Sequence, residues 1–288
     1  MDPIYLKLEN LKAILASLES VAIAFSGGVD STLLTRVAYD VLGDKAIAVT
    51  ARSSTYPVRE FNEAAMFADS LGIRHISCLS EELDISGFAD NPPNRCYLCK
   101  KELMAKIRQI ADQQHLAFII EGSNLDDDGD FRPGLQAIKE AGVRSPLREA
   151  GLTKEEIRRL SREMALPTWD KPSFACLSSR FPYGEAITRE KLARVDQAEQ
   201  LLLDLGFKQV RVRDHQNLAR IEIDGADFQR FIDTALRAAI HSRFKAFGYD
   251  YVALDLMGYR TGSMNEVLTE GERQDQSLSG LKEASHAG

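Results

Sequence analysis

Val21-Ala22-Ile23-Ala24-Phe25-Ser26-Gly27-Gly28-Val29-Asp30-Ser31 is the stretch from which the fold can be read. Five apolar residues make a short buried strand. After the loop, Leu33, Leu34, Val37, Ala38, Val41 and Leu42 recur at spacings of three and four, which predicts a helix with one buried face. Two adjacent glycines let the backbone form a concave nest of N–H donors with no Cβ in the way. A helix N-terminus at the same place favours an anion. Ser26 and Ser31 add hydroxyl donors, and Asp30 suits a Mg²⁺ ion bridging phosphates. No Gly-x-x-x-x-Gly-Lys-Ser/Thr is present, so this is not a Walker A loop. Gly-Gly alone would indicate only a tight turn with a serine N-cap. The whole hexapeptide behind a buried strand points to phosphate.

Working outward, apolar runs at 46–50, 73–79 and 117–121 alternate with helical patterns, among them Phe61, Ala64, Ala65, Ala68 and Leu71, and residues 97–113. Apolar strands separated by helices predict a parallel sheet covered on both faces, an α/β domain over residues 1–170. Leu8, Leu11, Leu15 and Leu18 mark an amphipathic helix expected on the edge of the first strand. Pro167, Pro172, Pro182 and Gly184 interrupt regular structure, giving a connector at 171–187. Beyond it come a helix (188–205), strands (209–213 and 218–223), a helix (226–247) and a strand (251–256). That order suits a smaller α+β domain, 188–269, with an antiparallel sheet. Residues 270–288 are polar and aperiodic and are expected to be disordered. No internal repeat is visible.

The chain has 288 residues, 44% of them hydrophobic and 27% charged, a globular balance. Lys plus Arg number 36 against 43 Asp plus Glu, a net charge of −7, so nucleic acid is a poor default partner. No apolar run is long enough for a bilayer, and the first residues lack a signal-peptide pattern, so a cytoplasmic address is expected. In that compartment Cys78, Cys96, Cys99 and Cys176 are poor candidates for a disulfide framework. Cys96 and Cys99 form a Cys-x-x-Cys, which poses metal ligation against redox chemistry.

The Ser26–Ser31 hexapeptide resembles the PP-loop of the ATP pyrophosphatase superfamily, whose members cut ATP between the α- and β-phosphates. Glu121-Gly122-Ser123-Asn124-Leu125-Asp126-Asp127, at a strand end where open sheets place ligands, agrees with it. So does Ser145 to Lys154, leading into a helix. The resemblance implies ATP held by Ser26, Gly27, Gly28, Asp30, Ser31, Ser53, Gly122, Asp127 and Lys154. Taken singly, Lys154 is equally well a solvated helix start.

Three further segments are similar to the LarE family of pyridinium-3,5-biscarboxylic acid mononucleotide sulfurtransferases, over residues 4 to 269. They are Asp130-Phe131-Arg132-Pro133-Gly134, the connector Cys176 to Gly184, and the set Val210–His215, Ala219–Glu222 and Leu254–Asn265. The resemblance implies adenylation of each substrate carboxylate in turn and replacement of its oxygen by sulfur, for the nickel-pincer nucleotide cofactor of lactate racemase. In one subgroup a single connector cysteine gives up its own sulfur. This sequence departs by adding Cys96 and Cys99. Three cysteines can ligate three irons of a [4Fe-4S] cluster and leave the fourth open for a transferable sulfide. Zinc with a His ligand and a persulfide relay remain open beside it. Arg211 and Arg213 alternate on a strand and share one face. With Ser179 and Arg180 they are expected to clamp the substrate 5′-phosphate, an exposed basic face being the alternative. Glu199 and Glu222 match acidic positions that are candidates for a divalent metal, and otherwise are surface charge. The family implies a homo-oligomer, a hexamer. The rival readings are a tRNA-thiolating enzyme of the same superfamily and a non-catalytic ATP-binding sensor.

Overall fold

The computed structural model describes residues 2–127, 133–173, 175–260, 262, 263 and 266. The expected tail, 270–288, lies outside the described residues, as do Asp130, Phe131, Arg132, Thr261, Met264 and Asn265 of the quoted motifs. Two compact units emerge, one of residues 1–81 and 96–174, the other of 82–95 and 175–288. The first expected domain is thus interrupted by a short segment that clusters with the C-terminal unit.

In the N-terminal unit α1 (Pro3–Ser17) starts at Pro3 behind Asp2, whose carboxylate accepts the Ile4 N–H. There follow β1 (Val21–Ala24), α2 (Val29–Leu42), β2 (Ala46–Arg52), α3 (Val58–Leu71), β3 (Arg74–Leu79), α4 (Arg95–Gln113), β4 (Phe118–Ile120), α5 (Pro133–Glu140), α6 (Pro146–Glu149) and α7 (Lys154–Glu163). The sheet runs β3-β2-β1-β4, every pair parallel, with Ile23 opposite both Ala48 and Ile120. Side chains alternate across it. Val21, Ile23, Ala46, Ala48 and Ile120 join Leu11, Leu33, Leu34 and Ile157 in one core. Ala22, Ile47, Val49 and Ile119 join Met104, Ile107, Ala111 and Ile138 in another. The α/β architecture read from the sequence is the one observed.

Two details differ. The first helix packs on α2 and α6 and not on an edge of β1, because β1 lies between β2 and β4 and has no free edge. The edge strand β3 is not wholly apolar, and Cys78 on it is half-buried, with burial pushing its thiol pKa up. β2 and β4 lie on opposite sides of β1, so the order in which strands are added reverses there. In such sheets the crevice outside the carboxyl ends of the switch strands holds the ligand.

The C-terminal unit contains a 3-10 turn (Leu177–Arg180), α8 (Arg189–Asp204), β5 (Val210–His215), β6 (Leu218–Ile223), a 3-10 segment (Gly225–Ile232), α9 (Thr234–Ala246) and β7 (Tyr251–Leu254). Val210, Val212, Ala219, Ile221 and Ile223 pack with Ala198, Leu202, Ile240 and Phe244. β5 and β6 are an antiparallel hairpin, but β7 lies parallel to β6. The expected antiparallel sheet is therefore mixed, since α9 carries the chain back before β7 begins, as a crossover to a parallel strand requires. The expected helix 226–247 is divided at Asp233, whose carboxylate caps α9 by accepting the N–H groups of Ala235 and Leu236. Among the described residues no helix is long and apolar enough to cross a membrane.

Candidate functional site

Gly28 is the N-cap of α2 and has no side chain to cap the helix, so first-turn N–H groups stay available to a ligand. Gly27 has φ 63°, and a Cβ there would stand 3.0 Å from the Ala64 Cβ of α3, so both backbone conformation and space require glycine. The Ser26 and Ser31 hydroxyls are hydrogen-bonded at 3.1 Å, and Ser31 also donates to the Gly28 carbonyl at 3.2 Å. Behind the loop, Tyr56 donates to the Ser26 carbonyl at 2.7 Å. Burial, with Glu60 and Glu63 nearby, raises the Tyr56 pKa and keeps it a donor.

The end of β4 closes on this loop. A Cβ on Gly122 would lie 3.0 Å from the Ser31 nitrogen, so the two chain segments approach as near as glycine permits. Asn124 Nδ2 donates to Asp30 at 3.2 Å, and the Lys154 ammonium, at the start of α7, pairs with the other Asp30 oxygen. Asp127 is buried and accepts the Asn124 N–H at 3.0 Å, while Asp126 accepts the Lys154 N–H at 2.8 Å. Glu121 accepts the Ser123 N–H and hydroxyl at 3.0 and 2.8 Å and also the Ser145 hydroxyl. The structure thus gathers Ser26, Gly27, Gly28, Asp30, Ser31, Gly122, Asp127 and Lys154. Ser53, just past β2, bonds with Thr55 at 3.1 Å, and its carbonyl accepts the Tyr56 N–H.

Lys171 was not anticipated. Its ammonium is mostly buried, pairs with Glu60 at 2.7 Å and Glu63 at 2.6 Å, and donates to the Gly27 carbonyl at 3.2 Å. Burial opposes its charge, but the two carboxylates outweigh burial and raise its pKa. Arg158 fixes the approach by donating to the Trp169 and Lys171 carbonyls, each at 2.8 Å. The only local signal is a lysine in a proline-interrupted stretch, which names no partner.

The second polar centre lies in the C-terminal unit. Arg180 and Glu199 are both fully buried and joined by two hydrogen bonds, 2.7 and 2.9 Å. Burial disfavours both charges, yet each holds the other ionised: Glu199 below its usual range, Arg180 above. Glu199 also accepts the Val212 N–H at 2.9 Å, on the strand that ends the sheet. Arg213 donates to the Ser179 carbonyl (2.8 Å), to Glu222 (2.7 Å) and to Ser263 (2.9 Å). Its Nε is buried with no hydrogen-bond partner among the described residues. Arg211 lies over the Tyr259 ring at 5.1 Å, and burial followed by the Arg180 charge pulls its pKa down to about 10. The pair shares one strand face as expected, but that face is buried, not an exposed basic surface. Arg180, expected to reach for phosphate, is turned inward to Glu199. Glu199 and Glu222, expected as surface charge or as metal candidates, are buried partners of Arg180 and Arg213.

Cys96 is exposed and Cys99 half-buried in the first turns of α4. Cys176 is half-buried, and its carbonyl accepts from Ser179 N–H (3.1 Å), Ser179 Oγ (2.9 Å) and Arg180 Nη1 (3.1 Å), so its backbone is tied to the arginine centre. Among the described residues no three His, Cys, Asp or Glu side chains are grouped to hold a metal ion.

The family model for NAD synthase matches residues 9–120, the span that carries β1 to β4. An uncharacterised protein of Synechocystis sp. (strain ATCC 27184 / PCC 6803 / Kazusa) is 48% identical over 264 residues, 92% of this chain and 98% of that protein. The pyridinium-3,5-bisthiocarboxylic acid mononucleotide synthase of Lactiplantibacillus plantarum is 39% identical over 267 residues, 92% of this chain and 96% of that one. A tRNA-specific 2-thiouridylase of Rickettsia africae is 27% identical over 191 residues, 53% of this chain and 52% of its own length. Identity to the L. plantarum synthase, sustained across nearly the full length of both proteins, places this chain in its family, the LarE family.

Proposed function

We propose that the protein is an ATP-dependent sulfurtransferase that converts the carboxylates of pyridinium-3,5-biscarboxylic acid mononucleotide to thiocarboxylates, in the pathway to the nickel-pincer nucleotide of lactate racemase. The observation that carries the reading is the Ser26–Ser31 loop closed by Asp30, Asn124 and Lys154, in a chain so similar to a named synthase. A carboxylate is a poor acceptor for a nucleophile, because its oxygens carry the charge and neither leaves. Attack of one carboxylate oxygen on the α-phosphorus of ATP forms the acyl adenylate and expels pyrophosphate. A sulfur nucleophile then adds to the carbonyl carbon and AMP departs with the original oxygen. The α2 N-terminus and Lys154 stabilise the charge that develops on the departing pyrophosphate. Asp30 is half-exposed with carboxylate oxygens suited to Mg²⁺, which it would hold on the phosphates. Arg211 and Arg213 take the 5′-phosphate of the mononucleotide, and Glu222 and Ser263 orient Arg213.

The thiols suit a [4Fe-4S] cluster by their chemistry: Cys96 and Cys99 lie three residues apart at the start of a helix, one exposed and one half-buried, and Cys176 is a third soft donor. Such a cluster, held by these three, would supply a sulfide from its open iron. The test is anaerobic incubation of reconstituted protein with ATP, Mg²⁺ and the biscarboxylated mononucleotide. AMP, pyrophosphate and a product 16 Da heavier per carboxylate are expected, the mass of oxygen exchanged for sulfur. ADP with inorganic phosphate would sink the reading. Loss of about 34 Da from Cys176 on turnover, the mass of H₂S, would move the sulfur source to the protein.

A further inference from the structure

Arg95 ends the segment 82–95 of the C-terminal unit and is 5% exposed. Its surroundings are fixed by a clasp. Asn91, with φ 55°, donates its side-chain amide to the Phe181 and Pro182 carbonyls at 3.2 and 2.6 Å. Gly184 N–H donates to the Asn91 carbonyl at 3.0 Å, Ile187 N–H to Ala89 at 2.8 Å, and Arg95 N–H to Pro92 at 3.0 Å. The guanidinium lies over the Tyr183 ring, 4.6 Å from its centroid. Its Nε and Nη1 are buried and meet no acceptor among the described residues.

A guanidinium keeps its charge at neutral pH, and buried donors nearly always have partners. The other deeply buried arginines find acceptors, Arg180 in Glu199, Arg213 in Glu222 and Arg211 in the Val210 carbonyl at 2.7 Å. Arg95 has only an aromatic face, which supports the charge but leaves the in-plane N–H groups unmet. A rigid clasp that holds a cation with unmet donors is prepared for an anion from outside the chain. We propose that Arg95 is the recognition group of an oxyanion subsite distinct from the Arg211–Arg213 pair, and that its ligand is a carboxylate. One guanidinium balances one negative charge, whereas a phosphate is better matched by two. The subsite stands apart from the function proposed above. Only the choice of a pyridine dicarboxylate as its probe rests on that reading.

Calorimetric titration of the full chain with pyridine-3,5-dicarboxylate and, separately, with inorganic phosphate tests it. Arg95→Gln should weaken dicarboxylate binding by about ten- to a hundred-fold, the loss of a charge-assisted contact, and leave phosphate binding unchanged. Arg95→Lys should recover part of it. In the wild type the Arg95 Nε–H resonance should shift with dicarboxylate and not with phosphate. Absence of dicarboxylate binding to the wild type, equal binding to Arg95→Gln, or a loss confined to phosphate overturns the proposal. If neither variant folds, Arg95 is an element of the fold and the subsite falls. A wild type that binds dicarboxylate through Arg95 but forms no thiocarboxylate would keep the subsite and sink only the proposed function.

Discussion

The Ser26–Ser31 loop and the Arg180–Arg211–Arg213 cluster both concentrate positive character, but they do so with different materials. The loop uses backbone: glycines, a helix N-terminus without a side-chain cap, and one part-exposed lysine on a carboxylate. The cluster uses three buried guanidiniums against two buried carboxylates, Glu199 and Glu222. A backbone site costs little to keep and can be disabled without harm to the fold. A buried charge network is bound into its unit's stability, because removal of one member strands another. Substitutions in the two regions should therefore separate activity from stability in opposite directions.

The largest effect should come from the cluster. Arg180→Ala leaves the fully buried Glu199 without its two-point partner, and such losses cost about 3–5 kcal/mol. Chemical denaturation should show it, and chelators should not change the result. A Glu199→Gln variant of wild-type stability would mean that the ion pair contributes nothing. At the loop, Lys154→Ala should lower pyrophosphate release about 10²–10³-fold, the usual range for a group placed on developing charge. Its unfolding midpoint should stay near wild type, since both partners are part-exposed. A destabilised Lys154→Ala with intact turnover would reverse the contrast.

How much of this could be read in advance follows the same division. The loop, the strand before it and the helix after it are local, so the turn at Gly27 and Gly28 and the helix that carries Asp30 and Ser31 are legible within one short stretch. The order of strands and helices is legible for the same reason. Lys171 escaped because its partners, Gly27, Glu60 and Glu63, lie more than a hundred residues away. The pairing of Arg180 with Glu199 escaped because an arginine in a connector and a glutamate on a helix each look like solvated charge until packing removes the water. The parallel seating of β7 depends on where α9 sends the chain, which the periodicity of β7 does not encode.

Arg211 offers a smaller test of the phosphate role proposed for the cluster. Arg211→Ala should raise the apparent KM for the mononucleotide about ten- to a hundred-fold and leave ATP binding near wild type. Its pKa is lowered to about 10, so the native state binds fewer protons than the unfolded chain above that pH. The cost of keeping Arg211 charged is therefore fully present below pH 10 and relieved as pH rises beyond it. Removing Arg211 should flatten that part of the stability profile. Loss of ATP binding in this variant, with the mononucleotide unaffected, would mean that the two sites are assigned in reverse.

The smallest effect is expected at His75, which joins the edge strand to the loop. Thr50 donates its one hydroxyl proton to the Phe25 carbonyl at 2.8 Å, so the 2.8 Å contact between Thr50 Oγ1 and His75 Nε2 requires the histidine to donate. Burial lowers the His75 pKa below 6.5, so in mild acid the unfolded chain takes a proton that the native state refuses. The stabilising contribution is complete above pH 6.5 and is lost as pH falls toward the lowered native value. His75→Gln can still donate to Thr50 and does not titrate. It should cost under about 1 kcal/mol at pH 8, a single neutral hydrogen bond at most, and should abolish this part of the acid sensitivity. Denaturation curves at pH 8 and pH 5.5 for the two proteins measure it directly. An equal drop in stability between those pH values, with and without the histidine, would place the acid-sensitive group elsewhere and leave His75 as packing between Phe25 and Phe61.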